Sequence, residues 1–101
     1  ALDKAIELKP SDSASYRMKA EVIATSKPDE ALKLASKAIE LEPAIARNYF
    51  CRAGLLNKQE KYQEALDDLN QALKLDPNNI NFIVERAEAY KGLKEYDKAL
   101  A

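Results

Sequence analysis

The amino-acid sequence predicts an all-α chain of antiparallel helix pairs stacked one on the next, and three observations carry that expectation. Ala, Leu, Lys and Glu are abundant among the 101 residues, while Gly occurs twice, Pro four times and Trp not at all. Such residues lose little side-chain freedom in a helix, and β-branched residues are too scattered to build strands. Pro10, Pro43 and Pro77 stand 33 and 34 residues apart, and each closes the same phrase: AIELK, AIELE and ALKLD. That is an internal repeat. Within each period, apolar residues recur at three- and four-residue steps, the spacing of one helix face.

Taken in order, residues 1–10 (ALDKAIELKP) read as the end of a second helix stopped by Pro10. The unit 11–43 follows. Its first half, around SYRMKAEVI, carries Tyr16 and Ala20, and Ser26-Lys27-Pro28-Asp29 reads as a cap followed by an early-turn proline and an acid at the positive end of the helix dipole. Ala31 and Leu32 begin the apolar face of its second half. The unit 44–79 is the most regular. Tyr49, Ala53 and Leu56 predict a first helix from Ala46 to Lys58, NKQEK makes the turn, and Tyr62, Ala65, Leu66, Leu69, Ala72 and Leu73 predict a second helix ending near Leu75. Pro77 stops it, and Asn78 or Asn79 is placed to cap the next helix. Residues 80–101 form a partial unit: FIVERAEAY matches a first half, and KEYDKALA matches the front of a second helix.

Both chain ends therefore fall inside a second helix, and KEYDKALA followed by ALDKAIELKP would make one uninterrupted helix. Residues 1–8 alone are shorter than the roughly 12–15 residues needed for marginal helicity in isolation. Two arrangements satisfy this: a segment of a longer array, the favoured one, or a unit of an end-to-end assembly in which one copy's tail completes another's head.

Composition narrows the function. No apolar run approaches the roughly 20 residues of a membrane-spanning helix, and no secretory leader pattern is present. Sixteen basic and seventeen acidic residues leave a net charge of −1, which gives no bulk attraction for nucleic acid or anionic membrane. A single cysteine, Cys51, forms no internal disulfide and fits a reducing compartment. The expectation is a soluble chain, with the cytoplasm as the favoured compartment. There is no histidine, and one cysteine builds no metal cluster, so no metal or cofactor is expected. Neither a Walker-type loop nor a G-x-G-x-x-G turn occurs. Carboxylates do pair, at Asp67-Asp68 and at Glu85 with Glu88, but such pairs are ordinary on solvated helices, and no catalytic residue is expected.

Tyr49, Ala53, Leu56, Tyr62, Ala65, Leu69, Ala72 and Pro77 resemble, in order and spacing, the tetratricopeptide repeat, a helix-turn-helix unit of 34 residues. The likeness extends over essentially the whole chain. Two features depart from the family pattern: a glycine-like position of the first helix is Ala in all three units (Ala20, Ala53, Ala87), and Pro28 replaces the aromatic seen at Tyr62 and Tyr96. The resemblance implies a right-handed α-solenoid superhelix whose concave groove is lined by first helices. Counted outward from Ala20, Ala53 and Ala87 as core positions, the implied groove residues are Arg17, Met18 and Glu21, then Arg47, Phe50, Cys51, Gly54 and Asn57, then Asn81, Val84, Glu85 and Glu88. Met18, Phe50 and Val84 either seal neighbouring repeats or receive apolar side chains of a peptide. Cys51 reads as a small apolar filler. Arg52 and Arg86 occupy a position where the family usually buries a leucine-like residue, and Arg52 is expected to reach Asp68 on the facing helix.

The function expected is a non-catalytic scaffold that binds a protein or peptide segment in the groove, with no nucleic-acid or membrane partner. The alternative is a structural array segment that self-associates end to end through its terminal helices. Some members of the family clamp an acidic chaperone tail with Lys, Asn and Arg on three first helices. The matching positions here hold Arg17, Glu21, Cys51, Asn81 and Glu85, so that clamp is not expected. A basic groove for RNA is likewise opposed by Glu21, Glu85 and Glu88.

Overall fold

Punctuation by proline, asparagine and short polar turns divides the described residues into five helices. The computed structural model describes residues 13–100, with side chains through residue 94. The expected helix end over 1–10 lies outside the described residues. The helices are α1 (Ser13–Ile23), α2 (Pro28–Leu41), α3 (Ala46–Lys58), α4 (Tyr62–Leu75) and α5 (Ile80–Leu100), and no strand occurs among the described residues. Each helix packs on the next, while α1 also touches α3 and α3 also touches α5. That pattern of neighbours is a helical-repeat solenoid: α1, α3 and α5 line one side, and α2 and α4 lie behind them.

Alanine permits the close approach. Ala20, Ala31, Ala35, Ala38, Ala53, Ala65, Ala72 and Ala89 are all wholly buried, together with Leu69. At these points a larger side chain would force the helices apart, at a cost of about 1–3 kcal/mol each. Two clusters share the interior. One gathers Ala20, Ala31, Ala35, Cys51 and Leu55 between the first two units. The other gathers Ala53, Leu56, Leu66, Leu69, Phe82 and Ala89 between the second and third. Leu32 packs against both.

Three polar arrangements fix how the helices meet. Arg52 donates Nε–H and Nη2–H to the two carboxylate oxygens of Asp68, both at 2.8 Å, and Nη1–H to Ser36 Oγ at 3.2 Å. The expected α3 to α4 pair is therefore bidentate, and it also reaches α2. One period later, Arg86 repeats the Ser36 contact by donating to Asn70 Oδ1 at 3.3 Å. Asn48, wholly buried, donates to the carbonyls of Ala38 and Glu42 at 3.2 Å each and accepts from Arg17 Nη1 at 2.7 Å. It thereby closes the C-terminal end of α2, whose last carbonyls have no partner within their own helix. Its counterpart one period on is Phe82, which is buried in the apolar cluster and packs against Phe50, the rings tilted by 35° with centroids 5.0 Å apart.

Several expectations at the helix ends are met and two are corrected. α3 and α4 take the expected bounds, and Asn79 caps α5 by accepting the Phe82 N–H at 3.3 Å. Ser26 does not cap α2. The residue at that junction is Lys27, and the Ser26 hydroxyl donates backward to the Ile23 carbonyl at 3.4 Å, so it belongs to the end of α1. Pro28 opens α2, and Asp29 and Glu30 occupy its first turn.

The second correction is larger. A turn is expected in the third unit between FIVERAEAY and KEYDKALA, but α5 runs through it as one helix of 21 residues. The second unit shows what such a turn requires. There Lys61 N–H bonds Leu56 O at 2.9 Å and Glu60 N–H bonds Asn57 O at 3.0 Å, a closure that puts Glu60 in the left-handed region at φ 62°. Glycine usually fills that place, because an L side chain there costs roughly 1–2 kcal/mol. The third-unit equivalent is Lys94, and the nearby Gly92 sits two residues too early. Lys, Leu and Glu all favour helix, and α5 continues. Ala87, expected in the core, is consequently exposed, since no second helix folds back onto it. Gly92 has a different use: a Cβ there would collide with the Tyr62 ring, so its bare backbone lets the start of α4 nest against α5.

Asp68→Ala should destabilise the fold by about 2–3 kcal/mol, below the ~3–5 kcal/mol of fully buried pairs because the Arg52 side chain stays 29% exposed. Replacing both partners with apolar residues, as in Arg52→Met with Asp68→Leu, should recover most of that loss. Urea unfolding of the three proteins checks both statements.

Candidate binding groove

Side by side, α1, α3 and α5 enclose an open cleft of about 570 Å³. Repeat columns build its surface. Cys51 and Glu85 form one, Glu21, Gly54 and Glu88 a second, and Ala24, Asn57 and Lys91 a third, each step being one period. Phe50, Leu55, Lys58, Tyr62 and Gly92 complete the wall.

Of the residues expected in the groove, Glu21, Phe50, Cys51, Gly54, Asn57, Glu85 and Glu88 come together in this cleft. Arg17, Met18, Arg47, Asn81 and Val84 do not line it. Arg17 is committed to Asn48, while Met18 and Val84 are exposed elsewhere on their helices. The continuous apolar strip of Met18, Phe50 and Val84 thus reduces, within the cleft, to Phe50. One side of that ring faces the cleft and the other rests on Phe82. Ala24, Leu55, Tyr62, Lys91 and Gly92 escaped the sequence reading. For Ala24 and Lys91 a signal existed, since both lie one period from Asn57.

Hydrogen bonding stiffens the cleft between α3 and α5. Asn57 Nδ2 donates to the Glu85 carboxylate at 2.6 Å and to the Glu85 carbonyl at 3.4 Å. Both Glu85 groups are acceptors, so the amide must turn its NH₂ toward α5. Three carboxylates, Glu21, Glu85 and Glu88, then border the cleft against two ammonium groups, Lys58 and Lys91. At its centre, Gly54 leaves open space: a Cβ added there meets nothing within 4 Å.

Cys51 forms part of the cleft yet is buried, with its Sγ 4.0 Å from the Arg17 carbonyl. Burial first, and the neighbouring Glu21 carboxylate second, push its thiol from 9.0 up to about 12. A thiol held protonated in this way is a packing group and a poor nucleophile. Asp68, the most buried of the paired carboxylates, is occupied by Arg52. Among the described residues no cluster of metal-binding side chains occurs, and no helix is long and apolar enough to cross a membrane.

The Cys51 environment has a pH consequence. Below pH 9 the thiol is protonated in both folded and unfolded chains and its contribution to stability is constant. Between 9.0 and about 12 the unfolded thiol ionises while the folded one keeps its proton, so stability falls as pH rises. Denaturant midpoints measured across this range should fall more steeply for the native protein than for Cys51→Ala.

Known proteins agree with this geometry. Residues 46–79 match the family model for the tetratricopeptide repeat. A protein STIP1 homolog from Dictyostelium discoideum is 36% identical over 98% of this chain, and sperm-associated antigen 1 from Homo sapiens is 42% identical over 76% of it. A protein SGT1 homolog from Oryza sativa is 38% identical over 70%. The chain spans only 18%, 8% and 19% of those proteins' respective lengths. Among solved structures, the Arabidopsis OM64 TPR domain superposes with a TM-score of 0.76 at 26% identity, covering 86% of this chain and 73% of that one. The repeat signature, the neighbour pattern of the helices and these likenesses agree: the chain belongs to the tetratricopeptide-repeat family.

Proposed function

We propose that the chain is a non-catalytic interaction scaffold that holds a peptide or protein segment in the cleft between α1, α3 and α5. The observation that supports this most is the combination of a half-buried aromatic side chain, Phe50, with open space at Gly54 and charges of both signs around it. Binding sites for extended segments pair apolar anchoring pockets with a few polar groups that set direction. A glycine in the middle of a helix weakens that helix by about 1 kcal/mol relative to alanine. At position 54 nothing in the packing requires it, and its effect is to keep the cleft deep.

That asymmetry supplies the test. Gly54→Phe should fill the cleft without touching the fold, leaving stability unchanged or slightly raised. Peptides enriched by display selection on the native chain should lose binding to this variant by an order of magnitude or more. If the selected peptides bind Gly54→Phe equally well, the cleft is not their site.

The charge arrangement also supports a choice of ligand. A peptide ending in Glu-Glu-Val-Asp would bring its carboxylates to Glu21, Glu85 and Glu88, while Arg17 is engaged by Asn48. Isothermal titration with such a peptide should show no low-micromolar binding.

A further inference from the structure

We infer that the cleft selects an extended segment with two basic residues, arginine above all, each two positions from a central apolar residue. The apolar side chain fills the space over Gly54, and the basic ones meet Glu21 and Glu88. This rests on the cleft being the binding surface and adds the chemistry of what enters it.

The repeat sets the three contacts in one row. Glu21 on α1, Gly54 on α3 and Glu88 on α5 stand one period apart and line the same cleft. At the middle of that row a Cβ would meet nothing within 4 Å, and Phe50 and Leu55 supply apolar wall beside it. A carboxylate therefore stands on each side of an apolar gap.

Those two carboxylates are unengaged. Both residues are exposed, and neither has a hydrogen bond or an ion pair among the described residues. Glu85 differs, since Asn57 Nδ2 occupies its carboxylate at 2.6 Å. Asn57 Oδ1, in the next row of the cleft, is buried without a donor, so its partial negative charge adds to the field of the two acids. Guanidinium suits such a site better than ammonium, because its planar fork takes a carboxylate through two N–H groups and its weak hydration lowers the cost of entry.

Helix spacing sets the spacing of the ligand. Two interaxial steps of about 8–10 Å separate α1 from α5. An extended chain advances about 3.3 Å per residue and turns alternate side chains to the same face, so about five residues cross the row and the first, third and fifth face it. Lys58 and Lys91 fix the level at which they cross. These ammonium groups line the same cleft about one helical turn beyond Gly54 and Glu88. An arginine displaced by that turn is repelled, so the cleft discriminates by position as well as by charge.

Fluorescence anisotropy with labelled peptides tests this. Ser-Arg-Ser-Leu-Ser-Arg-Ser should bind the native chain at least tenfold more tightly than the same peptide with Glu in place of both Arg. It should likewise outbind Ser-Ser-Arg-Leu-Arg-Ser-Ser, whose composition is identical and whose arginines face away from the row. Glu21→Gln and Glu88→Gln, both at exposed positions, should leave the urea midpoint unchanged and weaken the first peptide about threefold each and about tenfold together. Gly54→Phe should abolish its binding. An arginine peptide that binds no better than the glutamate peptide, or that ignores both glutamine variants, overturns the inference, and the cleft reading then stands if display-selected peptides still lose binding to Gly54→Phe. Arginine-peptide binding that survives Gly54→Phe overturns both.

Discussion

The helices of this chain meet through alanine, and the rest of the architecture follows from that closeness. Among the described residues eight wholly buried alanines recur along the repeat, so helix backbones approach without long side chains between them. Little apolar volume is then available at the crossing points, and the bulk of the core falls to a few larger residues such as Leu69, Leu66 and Phe82. Alanine is nearly featureless, however, and does not by itself fix the angle or register at which two helices meet. Those are set by groups with direction: the fork of Arg52 on Asp68 and the amide of Asn48 against the end of α2.

Most of the fold was legible because period and punctuation coincide. Where Pro77 and Asn79 bracket a boundary, the helix ends fell where the sequence put them, and the spacing of Arg52 and Asp68 on facing helices was enough to foresee their pairing. The third unit was misread for a definite reason. A repeat argument transfers a turn from one unit to the next on the strength of flanking residues, but a turn of this kind is decided by one backbone position. Glu60 and Lys94 look interchangeable as charged surface residues, and both are poor choices for the conformation required. Whether the turn forms then depends on what covers the helix after it, and local sequence carries no record of that.

The cleft was legible by column and obscure by residue. Counting from the repeat placed Glu21, Gly54, Asn57, Glu85 and Glu88 together, since first helices stack in register. It did not reveal that Arg17 is withdrawn from the cleft by Asn48, because an asparagine near a helix start reads as a polar surface residue. Nor did it reveal that Phe50 divides itself between the cleft and Phe82, since a side chain at a seam between units belongs to both. Residues at such seams are where single-helix patterns lose their predictive value.

Asn48 and Phe82 occupy the same place in successive units, and the difference between them gives the array two kinds of joint. The first is closed by directed hydrogen bonds among Asn48, Arg17 and the carbonyls of α2. The second is closed by the tilted aromatic contact of Phe50 and Phe82. Apolar contacts weaken on cooling, whereas hydrogen-bonded contacts do not share that dependence. Each joint also carries the other kind of contact, the cluster of Ala20, Cys51 and Leu55 at the first and the Asn57–Glu85 hydrogen bond at the second, so cooling relaxes only the apolar share of each.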